Sequence, residues 1–144
     1  MNIAQLITES TKKAILQLYD KEVSIDSIQL QQTRKEFDGD ITLVVFPFVK
    51  LARKAPEQVA NDIGEVLIDV VPEIIAFNSV KGFLNLVISD TYWLSSFNSS
   101  LEEGSKYALS KKPTLAHIMV EYSSPNTNKP LHLGHLRNNF LGYS

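Results

Sequence analysis

The sequence predicts an α+β domain of about a hundred residues, followed by the first strand, loop and helix of a second, α/β domain. Three observations carry that prediction. Amphipathic helical segments alternate with pairs of short strand-like runs over the first hundred positions. A stretch rich in Gly, Ser, Lys and Pro, from Gly104 to Pro113, interrupts the pattern. Beyond it an apolar run leads through a Pro- and Asn-rich loop to Pro130-Leu131-His132-Leu133-Gly134-His135.

Residues 2–19 place Ile3, Leu6, Ile7, Ala14 and Leu18 at helical spacing, with Lys12, Lys13 and Gln17 among the polar positions. Ile28 and Leu30 alternate with Ser27, Gln29 and Gln31, the pattern of a half-buried strand. Glu36-Phe37-Asp38-Gly39-Asp40 reads as a turn. The run from Ile41 to Phe46 is apolar enough for a strand buried on both faces, with Pro47 closing it and a helical start possible before Lys54. Pro56 and Glu57 open a helix whose apolar face is Val59, Ile63, Val66, Leu67 and Val70, and Pro72 ends it. Strands at Ile74 to Val80 and Phe83 to Ile88 flank the tight turn Lys81-Gly82. Ser89 or Asp90 then caps a helix carrying Trp93, Phe97 and Leu101 four apart, an apolar face expected to pack. The expected domains are residues 1–108, a linker at 109–114, and the opening of the second domain at 115–144. Within that opening, Leu115 to Val120 reads as a strand and a helix begins near Gly134.

Composition narrows the function. The chain is 144 residues long, 44% hydrophobic and 21% charged, with a formal net charge of -2. That balance suits a folded core and argues against a strongly basic nucleic-acid arm, while leaving room for a local basic patch. The absence of cysteine excludes a disulfide framework and thiolate chemistry. With three histidines, a zinc site would need carboxylates as well, and no metal site is expected. The N-terminus lacks the basic start and apolar block of a secretory signal, and no run approaches the roughly 20 apolar residues of a membrane span. The expected compartment is the cytoplasm.

The chemistry concentrates at the second domain's opening. Open α/β sheets bind ligands beyond the carboxyl ends of their strands, where the next helix points free N–H groups and its positive end. His132 and His135, three apart at such a helix start, can both reach one side, donate to phosphate oxygens, and carry positive charge beside an anion. Gly134 lacks a Cβ, so a flat base or sugar can approach the backbone. Lys129 adds a mobile charge. Blander roles stay open for the same residues. The histidines can simply cap the helix or lie in solvent, or bind a metal with Glu121; Glu121 can be a solvated strand end, and Asn126 and Asn128 can be turn formers.

The longer string VEYSSPNTNKPLHLGHLRNN resembles the signature of class I aminoacyl-tRNA synthetases, in the form found in arginyl-tRNA synthetases. The histidine signature appears as His132-Leu133-Gly134-His135, flanked by Glu121 to Asn126, Lys129-Pro130 and Leu136-Arg137. Upstream, EFDGDITLVVFPFVKLARKAPEQVANDIGEVL and VKGFLNLVIS are similar to the appended N-terminal domain of that family. The resemblance implies an α+β appended domain contacting the tRNA elbow, then the start of a Rossmann-like catalytic domain. Phe46-Pro47-Phe48 departs from a smaller, more polar segment in relatives.

The same resemblance implies roles by position. His132 and His135 would hold ATP phosphates and stabilise the α-phosphoryl group under attack, with Lys129 adding charge and Gly134 lying beneath the adenine. Asn126 and Glu121 would touch the substrate arginine, with Ser123 a further candidate. The implied activity is arginine–tRNA ligation, with ATP as substrate accompanied by Mg2+, tRNA(Arg) and L-arginine as partners, and a monomeric parent enzyme. The chain carries no second, lysine-rich signature loop, so an N-terminal fragment inactive by itself is expected. Lys12, Lys13, Arg34, Lys35, Lys50, Arg53 and Lys54, near Phe37, Phe46 and Phe48, are the candidates for RNA contact; the plain alternative for them is a solvated face over core aromatics. The alternative function is a free-standing RNA-binding α+β module without catalysis.

Overall fold

The computed structural model describes residues 2–107, 117, 119–125 and 128–143. The chain divides into two compact units, Met1–Tyr107 and Ala108–Ser144.

In the first unit, helix α1 (Ile3–Tyr19) begins at Asn2, whose side-chain oxygen accepts from the Ala4 N–H at 3.0 Å. That bond satisfies one of the helix's unpaired N-terminal donors. The helix buries Ile3, Ile7, Ala14 and Ile15 and stops where Asp20 turns left-handed. Strands β1 (Gln29–Gln32) and β2 (Ile41–Val44) follow, then helix α2 (Phe46–Ala52), helix α3 (Pro56–Val70), strands β3 (Ile74–Val80) and β4 (Phe83–Ile88), and helix α4 (Asp90–Glu103). The four strands form one antiparallel sheet in the order β1-β2-β4-β3. Lys81 (φ 49) and Gly82 (φ 83) make the two-residue turn between β3 and β4, both central residues left-handed as that hairpin requires.

Helix α1 packs on α3, and α3 packs across β3 and β4. The core between helices and sheet contains Ile7, Ile15, Leu43, Phe48, Ile63, Leu67, Leu84 and Leu86, all fully buried. Each such side chain contributes roughly 1.5–3 kcal/mol on leaving water. Close approach of α3 to the sheet depends on Gly64: a Cβ there would lie 2.7 Å from the Phe77 ring. Gly64 takes a place on the buried face where the spacing pointed to Val70, which is 52% exposed.

Three expectations need correcting. The strand expected to run to Phe46 stops at Val44, and Phe46-Pro47 opens α2. Proline lacks the N–H that a helix's first turn leaves unpaired, and its fixed φ suits that position, so here Pro47 starts a helix instead of closing a strand. Nor is β2 apolar on both faces, since Thr42 is its buried residue on the side away from the helices. The apolar face of α4 does not pack within this unit: no residue of α4 is buried, and Trp93, Phe97 and Leu101 are exposed. The helix is held at its first turn instead, by the Ser89 cap and by Tyr92, whose hydroxyl accepts from the Ile3 N–H at 3.0 Å. Helical spacing reveals an apolar stripe but not whether a partner faces it.

In the second unit, helix α5 spans Leu133–Tyr143. The expected linker at 109–114 lies outside the described residues, as do Leu115, Ala116 and Ile118 of the expected strand. Its described members, His117, Met119 and Val120, are exposed and carry no strand. Among the described residues of this unit there is no other strand to supply ladder hydrogen bonds.

Candidate functional site

The segment 121–125 runs beside α5, and the two line a groove of about 490 Å3. Glu121, Ser123 and His135, three of the residues singled out in the sequence, all face it, with Asn138 and Asn139 of α5. Tyr122 lies so close to Gly142 that a Cβ there would sit 2.2 Å from the ring, so only glycine permits this approach. The Ser124 hydroxyl donates to Glu121 Oε1, which holds that carboxylate toward its own loop. Asn126, the other expected arginine contact, lies outside the described residues.

His132 directly precedes α5. Its carbonyl accepts from the N–H groups of His135 (2.9 Å) and Leu136 (3.3 Å), which makes it the residue at the helix's N-cap. The Gly134 N–H lies 3.1 Å from His132 Nδ1, and the His132 N–H lies 3.1 Å from His135 Nδ1. The two rings sit 4.0 Å apart, tilted by 40°. His132 is exposed and His135 half-buried, and Lys129 is exposed three residues before His132. The pair therefore does cap the helix, and the capping uses one nitrogen of each ring. Among the described residues no group of three or more histidine or acidic side chains is placed to hold a metal ion.

The first unit carries a second feature, made by strand register. Gln31 pairs with Thr42, Thr42 with Asn85, and Asn85 with Asn78, giving a row of polar residues across all four strands. Side chains alternate along a strand, so this row lies on the sheet face opposite Leu43, Leu84 and Leu86. Thr42 donates to Asn85 Oδ1 at 2.6 Å, Thr33 Oγ1 lies 2.9 Å from Thr42 Oγ1, and Asn85 Nδ2 donates to Asn78 Oδ1 at 2.8 Å. Asn78 Nδ2 in turn donates to the Asp38 carbonyl, tying the 33–40 loop to the sheet. Over this floor a cavity of about 190 Å3 opens, lined by Gln31, Arg34, Phe37, Lys81, Phe83 and Asn85 among others.

The basic candidates are therefore not gathered on one surface. Arg34 lines the sheet cavity and Lys35 adjoins it in sequence, while Lys12 and Lys13 are exposed on α1, in the helical layer. Lys50, Arg53 and Lys54 cluster at the C-terminal end of α2. Lys54 is already engaged, 2.6 Å from Asp62 and 5.7 Å from the Tyr19 ring centre. Of the aromatics, Phe37 and Phe46 are exposed, whereas Phe48 is wholly in the core and cannot stack on a base. Lys81, Phe83 and Gln31 are residues that sequence reasoning passed over, because only strand pairing brings them together.

Comparison with known proteins accounts for both units. Residues 1–88, more than half of the chain, match the family model described as the arginyl tRNA synthetase N terminal domain. Residues 96–144 match the catalytic domain of class I tRNA synthetases (R). The arginine–tRNA ligase of Parabacteroides distasonis is 48% identical over 144 residues, covering 100% of this chain and 24% of that protein. The arginine–tRNA ligase of Phocaeicola vulgatus is 50% identical, with 99% and 24% covered. The chain thus spans about a quarter of the length of the curated relatives it matches. The solved Thermus thermophilus arginyl-tRNA synthetase shares the fold, with a TM-score of 0.54 and 24% identity over 96% of this chain and 21% of that one. The appended sheet domain and the histidine signature that follows it have one common explanation: the chain belongs to the arginyl-tRNA synthetase family.

Proposed function

We propose that this chain is the N-terminal part of an arginine–tRNA ligase, a cytoplasmic, monomeric enzyme that activates L-arginine with ATP and transfers it to tRNA(Arg). The observation that carries the reading is the groove along α5, which His135 lines together with Glu121 and Ser123. In the first step a carboxylate oxygen of arginine attacks the α-phosphorus of ATP. The bond to the bridging oxygen breaks, pyrophosphate leaves, and arginyl-adenylate remains. In the second, a terminal ribose hydroxyl of tRNA(Arg) attacks the arginyl carbonyl carbon, AMP leaves, and the hydroxyl proton is lost to solvent. Neither step needs a covalent enzyme intermediate, so positioning and electrostatics supply the acceleration. His132, His135 and Lys129 act on the phosphates, Gly134 leaves room for adenine, and Asn126, Glu121 and Ser123 bind arginine. Mg2+ arrives with ATP as part of the substrate.

The N-terminal domain, residues 1–108 and followed by a linker at 109–114, contacts the tRNA elbow in this reading. What supports it is the sheet cavity, where Arg34 and Lys81 supply charge for phosphate, Phe37 and Phe83 offer ring surface, and Gln31 keeps an exposed amide. An unpaired nucleotide is recognised by that combination. The test is arginine-dependent exchange between ATP and pyrophosphate, measured on the gene product extended to the length of its relatives. Exchange with arginine and not with lysine is expected; no exchange with either would overturn the assignment and leave the RNA-binding module.

A further inference from the structure

We infer that His132 and His135 form a reciprocal imidazole cap on α5 that locks both rings as the neutral tautomer with the proton on Nε2. The site then presents phosphate with two Nε2–H donors, not two positive charges. A backbone N–H is always a donor, so the ring atom it meets must hold a lone pair. The Gly134 N–H meets His132 Nδ1 and the His132 N–H meets His135 Nδ1, each at 3.1 Å. A doubly protonated imidazole has no lone pair to offer, and the tautomer protonated on Nδ1 would set proton against proton. Both rings are therefore neutral and carry their proton on the far nitrogen.

The arrangement has a familiar counterpart in other residues. In a capping box the N-cap side chain accepts from an N–H in the first turn, while the third helical residue's side chain reaches back to the N-cap N–H. Here His132 is at the N-cap and Leu133, Gly134 and His135 are the first three helical residues. Two imidazoles stand where serine and glutamate usually do. Gly134 is part of the device: a Cβ there would lie 3.0 Å from His132 Cε1 and 3.1 Å from its Nδ1, so a side chain would push the ring off its donor. Stacking at 4.0 Å favours the same charge state, since two imidazolium rings that close would repel. The expectation that the histidines carry positive charge gives way to a division of labour, in which Lys129 and the helix N-terminus supply the positive potential. That the Nε2–H groups meet phosphate rests on the function proposed above; the cap and the tautomer do not.

The test uses the 144-residue chain with 15N-labelled histidine and no ligand. Two-bond proton–nitrogen correlation spectra at neutral pH should show the Nε2–H pattern for His132 and His135. An Nδ1–H pattern, an averaged one or a doubly protonated one at either residue would overturn the inference. A pair of variants separates cap from ring. Asparagine at position 132 keeps an acceptor for the Gly134 N–H, and alanine does not, so the Gly134 amide should exchange roughly fivefold faster in His132→Ala than in His132→Asn, the usual worth of an N-cap. Equal exchange in the two would remove the cap. Neither measurement involves ATP or arginine, so failure of the activation assay would leave this result standing, and the reverse also holds.

Discussion

At His135 one ring meets two demands. Its Nδ1 closes the cap on α5, and its Nε2–H remains for the groove that Glu121 and Ser123 also line. Alanine would remove both. In the ligase proposed above, His135→Ala should slow adenylate formation about a hundredfold, the usual loss when one donor to a developing charge is removed. Binding of tRNA should change little. Rapid-quench measurement of adenylate formation decides it: an unaltered rate would take this histidine out of the reaction. Asn126→Ala should act differently, raising KM for arginine about five- to a hundredfold, as an unpaired buried partner costs about 1–3 kcal/mol. KM for ATP should stay put, and equal effects on both substrates would mean that the loop had collapsed.

At the scale of elements, two contacts carry testable weight, one between helices and one between the β3–β4 turn and α2. The Tyr19 hydroxyl, at the end of α1, donates to Asp62 Oδ2 of α3 at 2.9 Å, and Lys54 meets the same oxygen. Burial, and then the hydrogen bond and charge of Asp62, hold the Tyr19 proton well beyond the usual tyrosine range. The folded state therefore keeps this proton at pH values where the unfolded chain has lost it. The resulting stabilisation is complete below about pH 10, the ordinary tyrosine value, and is lost as pH rises above it. Chemical denaturation from pH 8 upward should show the alkaline decline blunted in Tyr19→Phe; parallel curves would disconnect Tyr19 from it. Gly82→Ala tests the hairpin: φ is 83, and the new Cβ would lie 2.8 Å from the Phe46 ring. A loss of about 1–3 kcal/mol is expected from the strain alone. The hairpin was legible because Lys81-Gly82 sits between two alternating runs, and α1 and α3 because their apolar faces repeat at helical spacing. The boundary of β2 was not, since Pro47 reads equally as a strand's end and as a helix's first turn. The fate of α4 was not legible either, because Trp93, Phe97 and Leu101 fix a face and say nothing of what meets it.

For the whole molecule, the site legible in the sequence is the local one. His132, Gly134 and His135 act through a single turn of backbone, so a short string records them. The sheet cavity escapes such reading because Gln31, Thr42 and Asn85 become neighbours only through pairing of β1, β2 and β4. A face made by strand pairing needs the whole domain, and residues 1–108 should supply it as an isolated piece. Its core is complete within the first unit, from Ile7 on α1 to Leu86 on β4, and about a hundred residues suffice for an independent fold. It should unfold in one cooperative step by circular dichroism; Trp93, 41% exposed, is a poor reporter of that core. The folded piece should bind full-length tRNA weakly, through a few phosphates, with affinity falling steeply as salt rises. Because Arg34 lines the cavity and Lys12 and Lys13 lie in the helical layer, the two groups should separate. Reversing the charge of Arg34 and Lys35 should abolish most of the salt-dependent binding, and reversing Lys12 and Lys13 should leave it largely intact. Binding lost equally in both variants would assign the contact to overall charge and not to the sheet face. Binding indifferent to salt and to both reversals would mean that phosphate contacts do not drive it.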